Sequence, residues 1–156
     1  MEKVKVMFVC HGNICRSPMA EFIFKKMLKE EGLEDKFVVK SSAVSFEEIG
    51  NPVYPPAREI LSRKGLSCAG KYAVHFEKKD YLENDYIPIM DNSNMRNILR
   101  ITGGENDGRI KLLMSYTGKD QAVSDPWYSG DFDTAYNDIV LGCKGLLEHI
   151  KRERML

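Results

Sequence analysis

A single junction near the start of the chain constrains it most. Residues 4–9, Val4-Lys5-Val6-Met7-Phe8-Val9, form an apolar run of strand character. Residues 18–24 carry apolar side chains at helical spacing. Between them stand Cys10-His11-Gly12-Asn13-Ile14-Cys15-Arg16-Ser17. A strand thus hands over to a helix through a short loop that begins with a cysteine and ends with an arginine. A helix N-terminus presents unpaired backbone N–H groups and a partial positive charge. Such a place binds oxyanions and favours the thiolate form of a cysteine. Arg16 adds a planar fork of donors suited to phosphate oxygens. Gly12 can take positive φ without strain, and Asn13 tolerates the left-handed region better than most residues. Turns of that kind aim successive N–H groups inward as an anion nest. Pro18 falls in the first helical turn, where its missing N–H costs little. Ser17 is placed to donate its hydroxyl to the sulfur. A nucleophile, Cys10, and a phosphate-binding loop, His11, Gly12, Asn13, Ile14, Cys15, Arg16 and Ser17, point to covalent phosphoryl chemistry. A cysteine alone reads as a core residue; its place between strand and helix, with Gly-Asn inside the loop and Ser-Pro after it, is what separates the two readings.

The rest of the chain continues the alternation. The pattern predicts helices over residues 17–31, 57–64, 92–101 and 132–153, with Gly32, Gly65 and Gly103-Gly104 as stops and a cap near Asp91 or Asn92. It predicts strands over 36–43, 85–90 and 110–114, and a loop over 115–127. Alternating strands and helices imply one α/β domain over residues 1–156, a four-stranded parallel sheet with helices on both faces. Ligands bind such sheets beyond the carboxyl ends of the strands, near a topological switch point. The loop after Val9 lies at that end. Pro88, within the third strand, removes a ladder donor, so a bulge or an unpaired carbonyl is expected there.

Composition removes several function classes. Lys plus Arg and Asp plus Glu both total 23, so the formal net charge is zero, which gives no support for nucleic-acid binding through bulk positive charge. Residues 1–4 do not read as a signal peptide, and no segment approaches the roughly 18 apolar residues of a membrane helix. A cytoplasmic location, with no membrane partner, is therefore expected. The cysteines are Cys10, Cys15, Cys68 and Cys143. They are expected as free thiols, and with scattered histidines and no C-x-x-C they make no zinc site. No metal and no cofactor is expected.

A thiolate that attacks a phosphate ester needs a general acid for the leaving oxygen. Asp125, in Val123-Ser124-Asp125-Pro126-Trp127-Tyr128, is the candidate. Pro126 holds its predecessor extended and stiffens the loop, and Trp127 and Tyr128 are candidate walls for an aromatic substrate. From composition alone, an ordinary Asp-Pro turn with two aromatics covering the core reads equally well.

Val9 to Glu21, read as VCHGNICRSPMAE, closely resembles the signature of the low-molecular-weight protein tyrosine phosphatases. Asp125-Pro126 followed by two aromatics resembles their general-acid loop. Met90-Asp91-Asn92-Ser93-Asn94-Met95-Arg96 and Glu48-Ile49-Gly50-Asn51-Pro52 resemble two further segments, in the family's order. The resemblance implies a flavodoxin-like fold with strand order 2-1-3-4 and hydrolysis of phosphotyrosine proteins or small aryl phosphates through a phosphocysteine. Cys10 would attack phosphorus, Arg16 and the loop N–H groups would bind the oxygens, and Asp125 would protonate the leaving phenolate and then activate water. The family's supporting network of an Asn, two Ser and a His maps here to Asn13, Ser17, Ser41 and His75. Cys15 matches a second loop cysteine whose oxidation joins it to the nucleophile. A monomer or weak dimer is expected. Glu47 departs from the family's aromatic wall residue, with Phe46 beside it as a substitute, and Tyr54-Pro55-Pro56 replaces a polar pattern. Two other readings stand beside this one. In the first, an arsenate reductase-like thiol redox enzyme on the same fold, further cysteines are needed after the third strand, and residues 76–102 hold none. The second is a phospho-ligand-binding pseudophosphatase.

Overall fold

Strands β1 (Val4–Cys10), β2 (Phe37–Ala43), β3 (Ile87–Ile89) and β4 (Ile110–Leu112) lie parallel in the order β2-β1-β3-β4 in the computed structural model, which describes residues 2–156. The helices are α1 (Arg16–Glu30), α2 (Pro55–Arg63), α3 (Lys78–Glu83), α4 (Asn92–Thr102), α5 (Pro126–Ser129) and α6 (Phe132–Arg154). This is the α/β architecture and strand order expected from the sequence. The chain leaves β1 toward β2 on one side and later enters β3 on the other, so the switch point lies at the carboxyl end of β1.

Side chains alternate across the sheet. Val4, Val6, Phe8 and Cys10 face one core, shared with Met19, Ile23 and Phe24 of α1, Ile60 and Leu61 of α2, and Ile139, Cys143 and Leu146 of α6. Met7 and Val9 face the other, with Ile87 and Ile89 of β3, Tyr81 of α3 and Ile98 of α4. Phe24 meets Phe8 and Phe37 edge-on, with ring centroids 5.6 Å and 6.0 Å away. Truncating such a buried ring costs about 3–5 kcal/mol, so this aromatic column fixes α1 against the sheet and thereby aims its N-terminus.

Local chemistry explains the differences from the sequence reading. The fourth strand stops at Leu112, and Leu113–Thr117 winds into a 3-10 turn. There the Ser115 hydroxyl donates to the Leu112 carbonyl and the Thr117 hydroxyl to the Met114 carbonyl, both at 2.6 Å. Such local bonds divert the backbone from the ladder. Helix α3 was not visible as a periodic segment, being six residues long; a reciprocal capping box between Glu77 and Asp80 starts it. Phe22 and Met27, apolar residues of α1, are half-buried on its flank, whereas Met19 and Phe24 are fully buried. Pro88 makes no bulge. The bridges Val6–Tyr86 and Val9–Ile89 are three residues apart on both strands, so no residue is inserted, and β3 pairs with β4 in unbroken register. Ile87 donates to Arg109 on the β4 side, which leaves the proline's missing donor facing β1, where the ladder lapses.

Helix α6 lies very close to the 3-10 turn. A Cβ on Gly145 would sit 2.4 Å from the Tyr116 carbonyl oxygen, and one on Gly142 would sit 2.5 Å from Leu113 Cγ. Alanine is the better helix former by about 1 kcal/mol, yet overpacking against backbone costs about 1–3 kcal/mol. Gly145→Ala is therefore expected to lower the urea midpoint; an unchanged or raised midpoint would contradict this packing.

Candidate active site

The loop from Cys10 to Ser17 leaves the carboxyl end of β1 and feeds α1, whose first residue is Arg16. Asn13 is the residue in the left-handed region, at φ 59°. Gly12, expected to use positive φ, does not. It is small for another reason: a Cβ there would lie 3.3 Å from Glu48 Cγ, so the segment after β2 presses on the loop. The sulfur of Cys10 receives the Asn13 N–H at 3.3 Å and lies 2.9 Å from Ser17 Oγ. Tyr54 donates its N–H to the Ile14 carbonyl at 2.7 Å and so braces the loop from the α2 side.

The bonds behind the loop have a forced direction. Asn13 Oδ1 accepts the Val74 N–H at 3.2 Å, which fixes the amide. Asn13 Nδ2 then donates to Ser17 Oγ at 2.7 Å and to Ser41 Oγ at 3.0 Å. Ser41 donates to the buried carboxylate of Glu21 at 2.6 Å. With the Ser17 oxygen already accepting from Asn13, its proton points at Cys10. Glu21, buried within α1, is paired with Lys25 at 2.6 Å and Lys71 at 3.7 Å. Lys71 also donates to the Ser41 carbonyl at 2.9 Å. Burial pulls the Lys71 ammonium below its ordinary range, against the pull of Glu21. His75 does not join this chain. Its ring stacks on Phe46 at 3.7 Å, and Nδ1 lies 3.3 Å from Glu77. The place expected for His75 is filled by Lys71 and Glu21. Neither was visible in the sequence, because a helix-face glutamate and a loop lysine read as solvated charges.

Arg16 is 3% exposed. Its Nη1 donates to the Val123 carbonyl at 3.0 Å, and Nη2 donates to Asp91 at 2.8 Å, with Asp125 at 3.5 Å. Burial disfavours the charged guanidinium, but Cys10, Asp125 and Asp91 outweigh it and raise its pKa. Asp91, read from sequence only as a helix cap, does both tasks: its other oxygen caps α4 at Asn94. Burial first, then the neighbouring Cys10, pushes the Cys15 thiol up to about 12. Two cysteines five residues apart thus differ in kind, one in reach of donors and one a buried neutral thiol. All four cysteines are free.

Asp125 caps α5, accepting the Trp127 N–H at 3.1 Å, and its other oxygen faces Arg16. The segment is pinned by Val123, whose N–H donates to the Met90 carbonyl, and by Ser124, which donates to Asp138. At the rim, Trp127 leans on Tyr54 with centroids 5.0 Å apart, Tyr128 is almost wholly exposed, and Glu47 is bonded to His11 Nε2 at 2.9 Å. Phe46 lies flat on His75 rather than substituting for the missing aromatic wall; Tyr54, which the sequence did not single out for this, stands beside Trp127 instead. Among the described residues no cluster of His, Cys, Asp or Glu is placed to hold a metal ion, and no helix is long and apolar enough to cross a membrane.

The arrangement therefore joins a sulfur, a buried guanidinium and a carboxylate at one sheet edge. The family model for low molecular weight phosphotyrosine protein phosphatase matches residues 5–156. The low molecular weight protein-tyrosine-phosphatase YfkJ of Bacillus subtilis is 40% identical over 155 residues, covering 98% of this chain and 99% of that protein. The human low molecular weight phosphotyrosine protein phosphatase is 37% identical, with 92% and 93% covered. The crystal structure of YfkJ superposes with a TM-score of 0.94 over 98% of each chain, at 39% identity. On sequence and fold together, the chain belongs to the low-molecular-weight phosphotyrosine protein phosphatases, which are hydrolases.

Proposed function

We propose that the Cys10 sulfur attacks the phosphorus of a phosphotyrosine side chain or aryl phosphate and carries the phosphoryl group as a phosphocysteine. The observation that carries this reading is the convergence on Arg16. The guanidinium that would grip the phosphate also faces Asp125, the proposed acid, at 3.5 Å, and stands in the loop that begins with the nucleophile. Arg16 and the loop N–H groups would stabilise charge on the equatorial oxygens in a site already organised for it. Asp125 would give its proton to the leaving phenolate and, once ionised, take one from the water that hydrolyses the intermediate. The Ser17 hydroxyl, held pointing at sulfur, favours the thiolate both as nucleophile and as leaving group. Cys15, whose thiol stays neutral at pH 7, is the partner that would form a disulfide with Cys10 under oxidation and shield it from irreversible damage. Trp127 and Tyr54 would wall the aromatic ring, with Tyr128, His11 and Glu47 at the rim. A reducing cytoplasm suits a catalytic thiolate. Residues 1–156 act as one domain, and every group named comes from one chain, so a monomer or weak dimer suffices.

Turnover of phosphotyrosine peptides and p-nitrophenyl phosphate, in reductant and without added metal, tests the assignment. Cys10→Ser is expected to abolish turnover. Asp125→Ala is expected to lose about 100-fold or more of kcat/KM on phosphotyrosine and less on p-nitrophenyl phosphate, whose leaving group needs little protonation. Activity of Cys10→Ser equal to the parent, or an equal loss of kcat/KM for Asp125→Ala on both substrates, would overturn the roles.

The network is tested separately. Removing a hydrogen bond to a charged group costs about 1.5–3 kcal/mol, so Ser17→Ala is expected to lower kcat by about 10- to 100-fold with a smaller change in KM. His75→Ala, outside the network, should leave kcat within about twofold, since it breaks no bond to the loop. A larger loss in His75→Ala than in Ser41→Ala would restore the histidine to the network and contradict the geometry.

A further inference from the structure

A cavity of about 630 Å³ opens between α2 and the loop over residues 65–72, apart from the mouth at Cys10. Its size falls within the roughly 300–1,000 Å³ of small-molecule sites. Its lining is chemically one-sided. Arg58 from α2 and Lys71 from the loop contribute positive charge, and among the described residues no carboxylate lines it. Val53, Leu66, Cys68 and Tyr72 give it an apolar wall, of which Val53 and Cys68 are buried. Two cations over an apolar wall fit a small organic anion with an aromatic or aliphatic body.

The cavity is wired to the nucleophile by two short paths. Lys71 reaches from its wall to the Ser41 carbonyl at 2.9 Å and toward Glu21 at 3.7 Å, and Ser41 is bonded through Asn13 and Ser17 to Cys10. Tyr54, which follows Val53 in sequence, donates its N–H to Ile14 in the catalytic loop at 2.7 Å. We propose that this cavity is an effector site for a small organic anion, and that an occupant slows turnover by drawing the Lys71 ammonium away from Ser41 and Glu21. A ligand shifts a distant site only through contacts that differ between two states. Lys71 supplies that difference, since one ammonium is shared between the cavity and the network. With Lys71 withdrawn, the Ser41 carbonyl loses its donor and Glu21 is left with Lys25 alone, so Ser41 is held less firmly behind Asn13 and the Asn13–Ser17 pair loses support at the sulfur, although Val74 still sets the direction of the amide.

Naphthoate, with uncharged naphthamide as its isostere, probes the site in the whole protein by amide NMR shifts and by p-nitrophenyl phosphate kinetics. Saturating inorganic phosphate in the NMR arm keeps the Cys10 loop filled. The expected result is saturable shifts at Gly65, Cys68, Gly70 and Lys71 with naphthoate and much weaker ones with naphthamide. Naphthoate should also lower kcat by about fivefold without raising KM, within the usual range of coupling between sites. Arg58→Gln should keep the parent's turnover and bind naphthoate about tenfold more weakly, as expected for a lost charge-assisted contact. Lys71→Met should make kcat indifferent to naphthoate. Equal binding of naphthamide, displacement of naphthoate by phosphate, or no saturable shift up to about 10 mM would overturn the site. Binding with unchanged kcat would overturn the coupling. The binding arm needs no turnover, so its failure is distinct from any failure of the phosphatase mechanism.

Discussion

The buried guanidinium of Arg16 is the constraint on which the rest of the site depends. A cation 3% exposed must be paired, or it would cost several kcal/mol. Its partners come from two separated stretches: Asp91 after β3, and the Val123 carbonyl with Asp125 in the loop before α5. Satisfying one side chain therefore fixes the loop after β1, the start of α4 and the acid-bearing loop relative to one another. The sheet order makes this possible. With β3 beside β1, the carboxyl ends that carry Cys10 and Asp91 are neighbours, and Val123 is tied to Met90 at the end of β3.

A second constraint acts from behind. The Asn13 amide, fixed by Val74, can point its two protons only at Ser17 and Ser41, and Glu21 takes the Ser41 proton. That leaves the Ser17 proton for sulfur. The direction of one hydroxyl at the nucleophile is thus tied to a carboxylate three hydrogen bonds away. Lys71 stands at the far end, where the network meets a cavity of opposite character to the acidic rim at Glu47.

What was legible in the sequence was local. The strand, loop and helix around Cys10–Ser17 declare themselves by period and by Gly, Asn and Pro at fixed places, and Asp125 by its proline and aromatics. The sheet order came with the family resemblance. What was illegible depends on groups brought together across the fold. Asp91 lies 75 residues from Arg16 along the chain, and Lys71 lies 30 from Ser41. No spacing rule joins them, and buried charges look like surface charges until their partners are known. His75 was misplaced for a related reason. A strand-like bridge to Ala43 brings its backbone near the site, but its ring turns outward onto Phe46. Gly12 shows the same limit: its smallness serves a contact with Glu48, not the turn's own φ.

The central claim is that Cys10 carries the phosphoryl group. Asp125→Ala mixed with p-nitrophenyl phosphate offers the most direct view, because the leaving group departs without the acid while hydrolysis lacks its base. Rapid quenching followed by mass spectrometry, with fragmentation that separates Cys10 from Cys15, should find a phosphoryl group on the Cys10 sulfur. A phosphoryl group on Cys15 or on any other residue, or turnover with no phosphorylated enzyme at any quench time, would contradict the account.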